Sequence, residues 1–329
     1  MQNSKVSVAI CTFNGAAYIE QQIKSIIDQT RQVDEIVIGD DGSTDDTLKI
    51  AEKILLKSDI QYKIIQNNEN LGYRKNFEKV IKYTSGDIIF LCDQDDIWIK
   101  NKVEIMLRHF ENNPRCMLVF SDAYIVDNNL NKRDISLWES MYYKKKSKKL
   151  GGLDLLLSGC YVTGGAAAIH RKLYEKAYPF SEIWYHDAWL AVLGAIYGDI
   201  EEEPQKLIMY RQHGNNQVGV EYDKGLRNWI RQKKSIIHRG AKWQKNVYFT
   251  NVKKYNELLN KIKNDVSPQK IEKIRCAMKF NESMGELTKK HKWKSIKIII
   301  SNFLCGNYKY FTKKSCGVMF GDILFLFID

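Results

Sequence analysis

Three carboxylates within four residues are the strongest chemical signal in this sequence. Asp93, Asp95 and Asp96, together called the acid cluster, directly follow the apolar run 88–91, which is typical of a buried strand. At the end of such a strand they repel one another unless a positive charge lies beside them. A divalent cation that bridges a diphosphate would supply that charge, because hard cations prefer carboxylate and phosphate oxygens. The alternative is a solvated, Asp-rich turn.

Two further predicted strands also end in polar side chains. The first ends near Thr12 and Asn14, and the second ends at Asp40 and Asp41. In open α/β sheets, ligands bind at the carboxyl ends of the strands near a topological switch point. We therefore expect these four residues and the acid cluster to lie on one edge of a sheet.

The elements that position these side chains alternate between strands and helices. Short β-branched runs predict strands, and apolar side chains at helical spacing predict helices. Strands are predicted over residues 6–10, 35–39, 62–65, 87–91, 117–120 and 207–210, and helices from about residues 19, 43, 70, 98 and 184. This order predicts an α/β protein with a doubly wound, mostly parallel, Rossmann-like sheet flanked by helices.

The composition of the 329-residue chain is that of a globular protein, but its charge is unevenly distributed. Residues 222–329 contain 24 Lys and Arg against 8 Asp and Glu, a net charge of +16, whereas residues 1–221 carry −4. We expect a binding and catalytic domain over residues 1–221. The basic, mainly helical region 222–329 would serve membrane-surface docking or oligomerisation.

The cysteines, the first residues and the hydropathy of the sequence indicate the cellular compartment of the protein. The seven cysteines have no C-x-x-C spacing, which favours reduced thiols in a cytosolic setting over a disulfide or zinc framework. The first five residues lead directly into a strand, so we expect no signal peptide. No stretch reaches the ~18 apolar residues that span a bilayer. The lysine-rich run 144–149 predicts a solvated loop.

Several spaced motifs give this sequence a resemblance to a known family. The sequence resembles the motifs of the family 2 glycosyltransferases, which have the GT-A fold. The matching parts are residues 6–15, the segment 40–45, the acid cluster, Trp98 and Lys102. The resemblance covers about residues 5–219. The stretch 210–216 is most similar to bacterial rhamnosyltransferases of cell-surface polysaccharide biosynthesis, such as capsule or cell wall.

The resemblance implies an inverting, metal-dependent transfer of a sugar from a nucleotide diphosphate to an acceptor hydroxyl. Asp95 and Asp93 of the D-x-D motif would hold Mn²⁺ or Mg²⁺. His213 would be a further metal ligand, with an ordinary packing role as the alternative. The residues expected to bind the nucleotide-sugar are Thr12, Asn14, Asp40, Asp41, Arg74, Asp93, Gly164 and Gly165. Arg74 has a competing interpretation as an exposed helical arginine, and the two glycines would lie beside the donor sugar.

Inversion needs a base on the face of the sugar opposite the leaving group. Asp187, at the start of an apolar helix, matches the acceptor-side acid of the family and is the predicted catalytic base. The alternative is an ordinary acidic residue in the first turn of a helix. Its neighbour His186 would be structural or would contact the acceptor.

The basic region suggests further partners. Lysines 290, 292 and 294 run into an apolar segment that includes Ile300 and Phe303, as in an interfacial amphipathic helix. We expect a lipid-linked saccharide acceptor, an anionic membrane surface, no nucleic acid and a possible homodimer. These partners predict a peripheral protein at the cytoplasmic face of the bacterial membrane.

Three alternatives stay open for function. The first expectation for the donor is dTDP-rhamnose, and the alternative within the class is a UDP-hexose. Outside the class, the chain would be a non-catalytic nucleotide-sugar-binding subunit. A third possibility makes the basic region a nucleic-acid module, although it contains no recognised DNA- or RNA-binding motif.

Overall fold

A computed structural model describes residues 4–213, 246–262, 266–313 and 315–327. The chain divides into two compact units. The N-terminal unit consists of Met1–Tyr143 and Tyr161–Val220, and the C-terminal unit consists of Lys144–Cys160 and Glu221–Asp329. The described segment 146–160 therefore packs with the C-terminal helices, although it lies within residues 1–221 of the sequence.

The strands of the described residues all belong to the N-terminal unit. They are β1 (Val6–Thr12), β2 (Glu35–Asp40), β3 (Gln61–Gln66), β4 (Ile88–Asp93), β5 (Ile97–Trp98), β6 (Cys116–Val126), β7 (Lys132–Ser136), β8 (Ala167–His170) and β9 (Asp199–Arg211). The first nine helices are α1 (Ile19–Ile27), α2 (Thr47–Leu55), α3 (Gly72–Tyr83), α4 (Lys102–Asn112), α5 (Leu137–Ser140), α6 (Tyr143–Ser147), α7 (Gly152–Ser158), α8 (Arg171–Ala177) and α9 (His186–Tyr197).

The remaining helices belong to the C-terminal unit, as does α7. They are α10, described over 246–261, α11 (Pro268–Gly285), α12 (Lys292–Leu304), α13 (Asn307–Phe311) and α14 (Ser315–Phe325). Single 3-10 turns cover Gly164–Ala166 and Lys289–His291.

The strands form one sheet in the order β3-β2-β1-β4-β8-β6-β9-β5, and β7 pairs with β6. Strands β3, β2, β1 and β4 are parallel to one another, β6 is parallel to β9, and β8, β5 and β7 run antiparallel to their neighbours. The predicted mostly parallel α/β sheet is confirmed.

The register of the central strands brings their polar ends to the same level. Thr12 at the end of β1 pairs with Asp40 at the end of β2, and Cys11 pairs with Asp93 at the end of β4. The expectation that the three strand ends share one edge of the sheet is therefore correct.

Burial explains why these strands are held so firmly. The apolar side chains of β1, including Val6, Val8 and Ile10, are fully buried, and Ile19 and Ile23 of α1 cover one face of the sheet. Complete burial of one such side chain contributes about 1.5–3 kcal/mol. The sheet edge that carries the polar residues therefore rests on a rigid core.

Two predicted helix starts are wrong by a few residues. Helix α2 begins at Thr47, and the side chains of Ser43 and Asp45 accept N–H groups of the loop that follows β1. Trp98 lies in β5, where it pairs with Ile208 of β9, so α4 starts only at Lys102.

The predicted solvated loop over the lysine run is also wrong. Residues 143–147 are helical, and Lys146 is buried. Its ammonium donates to the carbonyl oxygens of Lys309 and Thr312, at 2.6 Å each. These two bonds compensate the lost hydration, so this lysine anchors α6 to the end of α13.

The C-terminal unit has its own apolar core. Its largest buried members include Phe280, Met284 and Tyr308. Buried Asp322 accepts hydrogen bonds from the hydroxyl groups of Tyr248, at 2.9 Å, and Tyr308, at 2.7 Å. Across the described part of the chain, each helix is either too short or too polar to cross a membrane.

Candidate functional site

The acid cluster lies in the turn that follows β4. The side chain of Gln94 fixes this turn, because it accepts a hydrogen bond from the Phe13 N–H at 2.9 Å and donates to the Phe13 carbonyl at 3.0 Å. This pair of bonds extends the contact between β1 and β4 beyond the last residues of the two strands. It thereby fixes the backbone between Asp93 and Asp95, which lie on either side of Gln94.

The carboxylates of this site strongly disfavour one another's ionisation. Burial, followed by the charges of Asp95 and Asp187, raises the pKa of Asp93 to about 7. Burial and the charges of Asp95 and Asp93 raise the pKa of Asp96 well above its usual range. Within the described residues, Oδ2 of Asp96 has no hydrogen-bond partner. Asp187 thus lies close enough to the acid cluster to act on it, and a cation would stabilise the ionised forms.

Lys102 is a buried cation beside this cluster. Its ammonium donates to the Gly165 carbonyl at 2.6 Å and lies 4.0 Å from the centre of the Trp98 ring. Burial lowers the pKa of Lys102 to about 7, although Cys92, Asp96 and Asp93 oppose that shift. One lysine with so low a pKa does not neutralise three carboxylates, so the site still favours an added cation.

The end of β9 reaches the acid cluster from the other side. The backbone N–H of Arg211 donates to Oδ1 of Asp96 at 3.0 Å, and the Arg211 guanidinium donates to the Asp95 backbone carbonyl at 2.8 Å. His213 Nε2 lies 2.7 Å from Oδ2 of Asp95, and its ring stacks on Tyr18 with centroids 4.8 Å apart. The end of β9 therefore brings His213 next to Asp95, two predicted metal ligands that are far apart in the sequence.

These residues fit a hard divalent cation as a partial site. A carboxylate oxygen of Asp95 and an imidazole nitrogen of His213 suit Mn²⁺, and the neighbouring carboxylates suit Mn²⁺ or Mg²⁺. Among the described residues, no group of three His, Cys, Asp or Glu side chains is arranged to hold an ion. Phosphate oxygens and water would have to complete the coordination, as is usual where a cation binds together with a nucleotide.

The predicted residues at the ends of β1 and β2 build a rigid rim. Thr12 Oγ1 donates to Oδ1 of Asp40 at 2.8 Å, and Oδ2 of Asp40 accepts from the Ser43 N–H at 2.8 Å. Asn14, at a positive φ of 49°, accepts from the Thr44 N–H at 2.9 Å. These bonds fix the two loops, so direct contact of Asn14 and Asp40 with a nucleotide stays a prediction.

Asp41 connects the rim to α3. Its carboxylate accepts three N–H groups, from Asn67 at 3.0 Å, Leu71 at 2.7 Å and Gly72 at 2.8 Å. Two of these are backbone groups at the start of α3, where a negative charge is stabilising. Asp41 therefore positions the beginning of that helix, and its contact with a nucleotide likewise stays a prediction.

The side chains around positions 164 and 165 leave little room for a Cβ atom. A Cβ on Gly164 would lie 2.6 Å from His186 Nε2, and a Cβ on Gly165 would lie 2.8 Å from Asp96 Oδ2 and 3.0 Å from Asp93 Oδ2. The Gly165 N–H also bonds the Asp93 carboxylate. The glycine pair thus lies against the acid cluster on one side and against α9 on the other.

The first turn of α9 presents Asp187. Its Oδ1 accepts the Ala188 N–H at 2.7 Å, and the side chain is partly exposed. His186 is buried and stacks on Phe77 with centroids 4.2 Å apart. This packing fixes the start of the helix, so it supports a structural role for His186 and orients Asp187.

Arg74 does not contact the acid cluster. Its guanidinium donates to the Glu182 carbonyl and lies over the ring of Tyr73. This bond holds the loop before α9, and a phosphate contact for Arg74 stays a prediction.

Sequence reasoning missed the roles of three residues. Gln94 is the unspecified residue of D-x-D, Lys102 had been noted only as part of a motif, and Arg211 had been noted only as part of a stretch. The signal for Lys102 and Arg211 is a basic residue within or beside an apolar run, where burial forces it to find acceptors.

Comparison with known proteins agrees with this arrangement. The family model described as glycosyl transferase family 2 matches residues 7–177. The dTDP-rhamnosyl transferase RfbG of Shigella flexneri is 32% identical over 223 residues, which cover 64% of this chain and 74% of the relative. The Escherichia coli protein WfgD, a UDP-Glc:alpha-D-GlcNAc-diphosphoundecaprenol beta-1,3-glucosyltransferase, is 27% identical, covering 59% of this chain and 71% of its own.

A solved structure shares the fold. The mannosyltransferase PcManGT of Pyrobaculum calidifontis, in complex with GDP-Man and Mn²⁺, superposes with a TM-score of 0.57 at 15% identity. The superposition covers 98% of this chain and 85% of that one. The expected GT-A fold is confirmed.

Proposed function

Because this chain belongs to glycosyl transferase family 2, we propose that it transfers a sugar, with inversion, from a nucleotide diphosphate to a hydroxyl group of a lipid-linked saccharide. One observation carries the proposal. The charges of Asp95 and Asp187 both act on Asp93, so a cation site and a candidate base lie within one electrostatic neighbourhood. A solvated turn would not perturb a carboxyl group in this way.

The donor side of the site would be built by residues of β1, β2 and β4. Thr12, Asn14, Asp40 and Asp41 would bind or shape the nucleoside pocket, and the glycine pair would leave room for the sugar. Asp95 would hold the cation, with Asp93 and His213 beside it. When bound, that cation would neutralise the negative charge that develops on the departing diphosphate.

The acceptor side would be served by Asp187. Since Oδ1 of Asp187 accepts the Ala188 N–H, Oδ2 is the oxygen that would take the proton of the acceptor hydroxyl. The hydroxyl oxygen would then bond to the anomeric carbon from the side opposite the diphosphate. The bond to the diphosphate would break, and the configuration of that carbon would invert.

The finer assignment of the donor rests on the relatives. The similarity to the Shigella rhamnosyl transferase supports dTDP-rhamnose as the first candidate. The similarity to the E. coli glucosyltransferase supports a UDP-hexose as the alternative, and the diphosphoundecaprenol in its name supports a lipid-linked acceptor. A cell-surface polysaccharide extended at the cytoplasmic face of a bacterial membrane fits both, with the chain as a peripheral protein or a homodimer.

A panel of nucleotide sugars tests the donor. With Mn²⁺ present, dTDP-rhamnose should raise Tm by several degrees, because ligand at 100 Kd adds about 2.7 kcal/mol to the free energy of unfolding. UDP-glucose, UDP-GlcNAc and GDP-mannose should raise it less. A larger shift with a UDP-sugar would favour the alternative donor, and a shift without transfer to any acceptor would favour the non-catalytic subunit. No shift with any nucleotide sugar would contradict the proposal.

The affinity for Mn²⁺ should depend on pH. The cation needs ionised carboxylates, and the raised pKa of about 7 keeps Asp93 protonated and neutral in more acidic solution. The affinity should therefore fall up to about tenfold for each pH unit below 7 and become constant above about pH 8. Isothermal titration calorimetry between pH 5.5 and 8.5 measures this. An affinity that does not change between pH 6 and 8 would contradict the assignment of Asp93, and Asp93→Asn is the matched control that should flatten the profile.

A further inference from the structure

Helix α12 exposes an unusual set of apolar side chains. Trp293 is 80% exposed, Leu304 is 78% exposed and Ile300 is 49% exposed. The opposite side of the same helix packs inward, since Ser295 and Ile299 are buried. The large exposed residues are thus not a consequence of a poorly packed helix.

The three exposed residues form one stripe along the helix. Their spacings of seven and four residues place them within about 40° of one another at 3.6 residues per turn. Phe303, 40% exposed, lies at the side of the stripe. Exposed Lys297 lies beside the stripe, between Trp293 and Ile300. An apolar stripe flanked by lysines, with a tryptophan at one end, is typical of helices that lie in the interface of a bilayer.

The segment that carries the stripe is rich in lysine. Lys290, Lys292, Lys294 and Lys297 are all exposed. Residues 287–321 contain eight lysines and no Asp or Glu. Lysines near an anionic membrane surface are attracted to it, and their aliphatic stems can lie on apolar surface while the ammonium groups reach phosphates.

A second apolar group lies next to the stripe. Phe327, 57% exposed, lies under the ammonium of Lys292, at 5.3 Å from the ring centre. Phe320, on α14, is 56% exposed. Helices α12 and α14 pack together, so these phenylalanines add apolar area to the same part of the C-terminal unit.

We propose that α12 docks on an anionic lipid bilayer, with Trp293, Ile300 and Leu304 inserted among the lipids and the lysines on the phosphate groups. A second copy of this chain fits less well, because an isologous contact would bring like-charged lysines together. Nucleic acid would leave the apolar stripe uncovered. The inference deepens the proposed function, on which it rests for the lipid-linked acceptor, but docking needs no sugar transfer.

Vesicle flotation with the full chain tests the surface. The chain should float with vesicles of phosphatidylcholine mixed with the anionic lipid phosphatidylglycerol, and far less with vesicles of phosphatidylcholine alone. Trp293→Ala combined with Leu304→Ala should lower the partition coefficient at least tenfold. Lys294→Gln and Lys297→Gln should each lower it roughly fivefold, the equivalent of about 1 kcal/mol per lysine.

Matched controls come from the N-terminal unit. Leu56 is 68% exposed and the Lys49 side chain is 83% exposed, so Leu56→Ala and Lys49→Gln remove similar groups elsewhere on the surface. Both should float like the unaltered chain. Donor-induced Tm shifts in every variant should stay unchanged, which separates a failure of docking from a failure of the proposed transferase activity.

Three results would overturn the inference. One is equal flotation of the Trp293→Ala/Leu304→Ala variant and the unaltered chain. Another is a change from dimer to monomer in sedimentation on the same substitutions, without loss of flotation, which would assign the surface to a second copy. The third is a loss of affinity for single-stranded RNA in the same double variant, while its flotation stays equal to that of the unaltered chain.

Discussion

Replacing Asp187 with Asn should abolish sugar transfer while leaving donor binding intact. The loss of a positioned general base costs about 10²–10⁴-fold in rate, so we expect kcat to fall roughly a thousandfold, equivalent to about 4 kcal/mol in the barrier. Asn keeps an oxygen that can accept the Ala188 N–H, so α9 should still form and Tm should change little. Transfer kinetics and donor affinity, measured on the same preparation, check this.

A nearby carboxylate supplies the control for that substitution. Glu175 is exposed on α8, and Glu175→Gln should leave both kcat and donor affinity unchanged. Turnover by the Asp187→Asn variant within tenfold of the unaltered chain would remove Asp187 from the role of base. Equal losses of turnover and of donor affinity would instead assign it to donor binding.

Replacing Asp95 with Asn should abolish the contribution of metal to donor binding. Asn retains a hydrogen bond to His213 but loses the charge that a hard cation needs. Removing a partner of a ligand costs about 10–100-fold in metal affinity, and we expect loss of the ligand itself to cost at least the upper end of that range. Nucleoside diphosphate affinity measured with Mn²⁺ and with EDTA isolates the effect, because only the first value should fall.

Asp46 provides the matched control for the cation site. Its side chain is 70% exposed and lies 3.8 Å from the ammonium of a surface lysine, Lys49. Asp46→Asn should leave the difference between Mn²⁺ and EDTA unchanged. An unchanged difference in the Asp95→Asn variant would show that another group holds the cation, or that donor binding needs none.

The sheet could be predicted because local pattern and burial agree along β1, β2 and β4. The alternating and β-branched runs fill a core on both faces of the sheet. Once their polar ends are aligned, few other strand registers and strand orders remain. Antiparallel β8 and the two-residue β5 could not be predicted. Their pairing depends on residues more than 45 positions away, and neither segment has a periodicity that differs from that of a loop.

For a related reason, some residues of the site could be predicted from the sequence and others could not. Side chains that follow strands, such as Thr12 and Asp95, are fixed by the sheet itself. Residues supplied by β9 are brought in from far along the chain. A basic residue beside an apolar run indicates that Arg211 is buried, but it does not indicate that Arg211 contacts the acid cluster. Lys146 shows the opposite error, because a run of lysines reads as solvated although one of them satisfies two buried carbonyl groups.

Diffraction at the manganese absorption edge, from crystals grown with Mn²⁺ and the nucleoside diphosphate of the donor, tests the central claim most directly. The account predicts one anomalous peak about 2 Å from an Asp95 carboxylate oxygen and from oxygens of the diphosphate, and the same map decides whether His213 is a ligand. A nucleotide bound at the ends of β1 and β2 with no manganese at Asp95, or a manganese ion bound away from the acid cluster, would contradict it.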